Sequence, residues 1–99
     1  MIGNFTIDTF TIGDVLKVFY GEGQYVEITL AKASFGKYKN PVSDREPFLW
    51  VFRSSKEIWI EAGTYNMHQE KVGNFEMFIT STMPLKEEGE YNYYEAVFS

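Results

Sequence analysis

No cysteine occurs in the chain, which excludes a disulfide framework and a thiolate metal site together. Histidine is almost as scarce. The single His68 would need a nucleophile beside it to act as a catalytic base, or further histidine and carboxylate ligands to hold a metal. Proline appears three times, and no apolar run approaches the roughly 20 residues that cross a bilayer as a helix. The opening Met1-Ile2-Gly3-Asn4-Phe5 has no basic segment followed by an apolar one, so it does not read as a secretory leader. Basic charge is also short. Nine basic residues stand against fourteen acidic ones, for a net charge of −5, and the resulting field repels polyanions. The expectation is a cytoplasmic protein, or one carried within an exported or virion-like assembly, with neither nucleic acid nor membrane as partner.

Aromatic side chains are what the sequence has in excess. Nine Phe, seven Tyr and two Trp make up 18 % of 99 residues, and hydrophobic residues make up 44 %. Each large ring buries roughly 150–250 Å². A chain of this length has room for one core, spanning residues 1–99 as a single β-domain, and these rings can fill it without covalent staples.

Helix signals are nearly absent. Val15–Tyr20 reads as a strand, with Phe5–Phe10 as a shorter strand or a folded lead-in. Gly21-Glu22-Gly23 reads as a tight turn into a long strand, Tyr25–Phe35, where Val26, Ile28 and Leu30 face one way and Glu27, Thr29 and Ala31 the other. Gly36–Glu46 is the longest loop. Pro47–Phe52 is a continuous apolar run suited to a strand covered on both faces, with proline at its first position. Ile58-Trp59-Ile60 is a short apolar return. Thr64–His68, Phe75–Thr80 and Tyr91–Phe98 complete the series, with Val72-Gly73-Asn74 as a turn and Pro84–Glu90 as a polar loop. The fold class is therefore all-β, with about seven short antiparallel strands in a small barrel or sandwich. The final strand carries little of the charge that blunts an exposed edge, which favours closure into a barrel.

Constellations that carry chemistry do not assemble on this pattern. Glu57, Glu61 and Glu70 lie near turns around Ile58–Ile60, but nothing in their spacing forces the paired geometry of a glycoside hydrolase. Gly21-Glu22-Gly23 is too short for a phosphate-cradling loop, and no calcium-loop pattern is present. The sequence predicts no enzymatic activity, no cofactor and no metal. Two sets of residues suit contact instead, the first with a phosphate or an acidic partner and the second with another protein. Lys37, Tyr38 and Lys39 interleave base and ring in the longest loop, and Trp59, Tyr91 and Tyr93 are aromatics beyond what a core requires.

Several segments resemble a family of uncharacterised small bacterial β-domains. They are Arg45-Glu46-Pro47-Phe48, Val51-Phe52-Arg53, Gly63-Thr64-Tyr65, Asn74-Phe75-Glu76-Met77-Phe78 and Tyr94-Glu95-Ala96-Val97-Phe98. The resemblance is close from Asp44 to Ser99. Upstream it is confined to Thr6–Phe10, Gly13 and the Val26–Leu30 strand. The Ile58-Trp59-Ile60 stretch departs from the family's pattern, which has a more polar, proline-containing turn there. The resemblance implies a compact domain with no assigned activity, and an association with phage-tail-collar-like fibre proteins.

Three functions follow as expectations. The first is a non-catalytic interaction or structural module, an accessory to a tail-fibre or collar-like protein, with an exposed patch around Trp59 and the tyrosines. The second is an acidic inhibitor or immunity protein for a basic toxin, with its carboxylates on one face. The third is a barrel that holds a small ligand. Self-association stays open.

Overall fold

A computed structural model describes residues 5–35, 47–82 and 91–98. Six strands form: β1 (Val15–Gly21), β2 (Gln24–Phe35), β3 (Phe48–Ser55), β4 (Gly63–Gln69), β5 (Gly73–Thr82) and β6 (Tyr91–Phe98). All pairings are antiparallel, and the order β1-β2-β3-β6-β5-β4 closes where β4 meets β1. No helix occurs among the described residues. The all-β reading holds, and the molecule is a barrel. There are six strands where the sequence suggests about seven, because Phe5–Phe10 folds into turns and Ile58–Ile60 runs as coil.

The two tight hairpins rest on glycine. Gly23, with φ of 68°, ends the two-residue turn between β1 and β2, and Gly73, with φ of 79°, starts β5. Both lie in the left-handed region that side chains with a Cβ resist. Asn74 needs no such conformation, since every residue with positive φ among those described is a glycine.

Alternation sends Val26, Ile28 and Leu30 inward as the sequence suggests. The ladder to β3 then slips between Leu30 and Lys32, so Leu30 faces Phe52 while Lys32 faces Val51. This bulge at Ala31 inverts the alternation, and Ala33 takes the core side opposite Trp50. β6 lies between β3 and β5, paired along its whole length with β3, and its Tyr94, Ala96 and Phe98 point toward the core. Trp50, Tyr94, Phe52, Leu16, Ile28, Met67, Met77 and Ile79 fill the interior as fully buried side chains. A barrel of this girth is ordinarily packed by its own residues.

Each end is plugged. At the end where β1 and β3 begin, the lead-in from Phe5 to Asp14 folds inward. Phe5 and Phe10 pack on Trp50 and Phe75 with ring centroids 5.0–5.9 Å apart. Two backbone bonds tie the lead-in to β2, from Gly13 N–H to the Leu30 carbonyl and from Leu30 N–H to the Asp14 carbonyl. Lys71 reaches across from the β4–β5 turn to Asp14 at 2.6 Å. The Lys71 ammonium, then the Thr11 N–H, hold the Asp14 carboxyl below the usual carboxylate range. At the other end the connection from Lys56 to Ala62 closes the mouth, with Ile60 buried and Ile58 packed against the core.

Two seams of the wall are short. β1 meets β4 only over Lys17–Phe19, and β5 meets β6 only over Thr80–Thr82. The β4–β5 hairpin is thus hinged to a four-stranded sheet by two brief ladders.

Candidate functional site

The coil between β3 and β4 has no ladder of its own, so its backbone groups must find partners elsewhere. Side chains of β6 and β4 supply them. The Ile60 N–H donates to the Tyr94 hydroxyl at 3.0 Å in a buried setting. Asn92 Nδ2 donates to the carbonyls of Ile58 at 3.0 Å and Ser55 at 3.3 Å, and the Tyr65 hydroxyl donates to the Glu61 carbonyl at 2.6 Å. Burial raises the Tyr94 phenol above its usual range, which keeps it protonated at neutral pH.

Between the two inward isoleucines stands Trp59, 57 % exposed. It has no ring partner among the described residues. An indole held outward on a fixed backbone loses little conformational freedom when something docks on it, and tryptophan is among the residues most often found at binding hot spots. The plug thus spends two apolar residues on sealing the barrel and presents the third.

The tyrosines behave differently from the sequence expectation. Tyr91 is half-buried, with the Arg53 guanidinium 5.3 Å above its ring and the Tyr93 ring 6.4 Å away. Tyr93 is only 6 % exposed, so it is not part of an open surface. It faces Arg53 across the β3–β6 ladder, and packing on that outer wall covers it. The patch expected around Trp59 and the tyrosines therefore reduces to Trp59, with Tyr91 partly available. Lys37, Tyr38 and Lys39 lie outside the described residues.

Beside Tyr91, a shallow groove of about 330 Å³ runs past Glu27, Arg53, Ser54 and Ser55. The Ser54 hydroxyl, buried at its edge, has no hydrogen-bond partner among the described residues. His68 sits on β4 opposite Lys17, and its Nδ1 is 2.8 Å from the Asn74 side-chain oxygen. Glu57 and Glu61 belong to the plug, whereas Glu70 follows β4 at the opposite end of the barrel, so the three carboxylates do not converge. Among the described residues no three His, Asp or Glu side chains group as metal ligands.

Besides Ile12, Val15, Tyr20, Tyr25, Phe35 and Val72, the exposed apolar residues that the sequence reading did not single out include Phe78 on β5 and Val97 on β6. The signal was available. Phe78 lies two positions from Glu76, and Val97 two from Glu95, and residues two apart on a strand share a face. The glutamates mark those faces as outward.

A barrel plugged at both ends, with a filled interior and one tryptophan held out on a pinned coil, defines a compact β-module whose distinguishing feature lies on its outside. The chain belongs to the family described as Domain of unknown function (DUF6916), whose model matches residues 5–98. This extends the likeness well upstream of Asp44. No curated protein and no solved structure matches the chain.

Proposed function

We propose that this domain is a non-catalytic protein-interaction module that docks through Trp59 as an accessory of a larger assembly, of the fibre or collar kind. The observation that carries the reading is the mounting of Trp59. Three side-chain hydrogen bonds fix the coil on either side of it and a fourth holds the end of β3 before it, while its own ring stays open. Interfaces draw most of their affinity from a few such anchors. The filled interior supports an outside contact over a ligand held within the barrel. An immunity role finds less support, because the described carboxylates are spread over the lead-in, β2, both ends, β5 and β6 rather than gathered on one face.

The test is affinity capture of the tagged domain from its native host, with wild type and Trp59→Ala in parallel. A fibre or collar protein should be recovered with wild type and reduced at least about tenfold with the variant, the equivalent of losing a hot spot of about 1.4 kcal/mol or more. The variant should keep its urea midpoint, since an exposed side chain contributes little to stability. Undiminished recovery with Trp59→Ala would refute the assignment.

A further inference from the structure

The wall is weakest where β5 meets β6. Their ladder joins Thr80, Ser81 and Thr82 to Glu95, Tyr94 and Tyr93, then stops. From there toward the lead-in end, β5 runs on to Gly73 paired with β4 alone, and β6 runs on to Phe98 paired with β3 alone. Among the described residues, each strand leaves one edge without a strand partner. An edge of this kind presents backbone donors and acceptors ready for another strand.

The inner side of this seam is sealed. Phe5 bridges it, 5.2 Å from Phe75 on β5 and 6.3 Å from Phe98 on β6. The outer side is not. Phe78 is 54 % exposed and Val97 65 %, and continuing the Thr80–Glu95 register by two residues sets them opposite one another. Glu76 and Glu95 share their faces and flank them. Strands β4, β5 and β6 contain no lysine or arginine, and these two glutamates are their only carboxylates. The seam is thus an apolar line with an acidic margin and no basic residue on its strands.

We infer that the open β5–β6 seam accepts an extended segment of a partner protein whose outward face carries an apolar residue flanked, two positions away, by lysine or arginine. Backbone pairing at the free edge supplies affinity, and the alternate side chains supply selection. On that one face the apolar residue meets Phe78 and Val97, and the bases two positions away meet Glu76 and Glu95. A second copy of this chain fits poorly, because pairing the seam with itself brings its own glutamates together. The site lies toward the lead-in end, away from the Trp59 plug, and does not rest on the role given to Trp59.

The test uses the full chain, labelled with ¹⁵N, and two synthetic peptides, one repeating Lys-Thr-Val-Thr and the other Glu-Thr-Val-Thr, so that charge and valine fall on one face. The lysine peptide should shift and slow the exchange of amides in residues 75–79 and 96–98, with binding that weakens as salt rises. The glutamate peptide should bind at least about tenfold more weakly. Phe78→Ser combined with Val97→Ser should reduce lysine-peptide binding by a similar factor, whereas Trp59→Ala should leave it unchanged. If the double serine variant folds poorly, Glu76→Gln with Glu95→Gln decides, and should flatten the salt dependence. Equal binding of both peptides, or shifts scattered over the acidic surface, would overturn the inference. So would a concentration-dependent dimer that buries these amides, or their protection in the free protein followed by loss when residues 1–4 are deleted.

Discussion

Trp50→Ala should lower the free energy of unfolding by about 3–5 kcal/mol, the range for removing a buried aromatic and leaving a hole. The indole is fully buried, and Phe10, Phe48 and Phe98 surround it with ring centroids 5.0–5.3 Å away. Phe5 lies 5.9 Å away, and both Phe5 and Phe10 belong to the lead-in. The substitution therefore unseats one plug as well as emptying the core. Its indole N–H points at the Ile7 carbonyl at 3.4 Å, a long contact that adds little. A domain of this size has about 5–15 kcal/mol in total, so the loss takes from about a fifth to all of it. Urea denaturation followed by circular dichroism measures this directly. A loss under about 1 kcal/mol would mean that the rings do not depend on Trp50 for their packing.

Tyr94→Phe should cost about 1–3 kcal/mol, although it removes a single oxygen. The cost comes from the Ile60 N–H, which is buried and left without its acceptor. For a chain of this length, each kcal/mol lowers the melting midpoint by roughly 4–8 °C. The same change loosens the mounting of Trp59, so indole fluorescence anisotropy should fall. A pH dependence accompanies it. The folded-state pKa of Tyr94 is raised by burial, so its contribution is complete below the ordinary tyrosine range and is lost as pH rises through the folded value. Wild type should therefore lose stability above about pH 10, and Tyr94→Phe should show a shallower decline. Identical alkaline profiles would remove Tyr94 from this account.

Much of the barrel was legible because its strands obey simple alternation. Val26, Ile28 and Leu30, or Tyr94, Ala96 and Phe98, can be sorted by period alone. The β1–β2 turn was legible because glycine marked it. Ile58-Trp59-Ile60 was not, since a short apolar return looks like a strand until tertiary partners are known. Its hydrogen bonds come from Tyr94, Asn92 and Tyr65, and Asn92 and Tyr94 are more than 30 residues away. The bulge at Ala31 was equally hidden, because it depends on the register with β3. Of the contact residues chosen from composition, Trp59 is open, Tyr91 is half-engaged and Tyr93 is covered. Composition counts rings, whereas exposure depends on which wall each ring meets.

The most direct measurement is iodide quenching of the free domain's fluorescence, with Trp59→Phe as reference. Wild type should show two populations, a quenchable Trp59 and a shielded Trp50, and the variant an almost unquenchable signal. If wild type and Trp59→Phe are equally shielded, Trp59 is covered by the chain itself, and the docking role assigned to it is wrong.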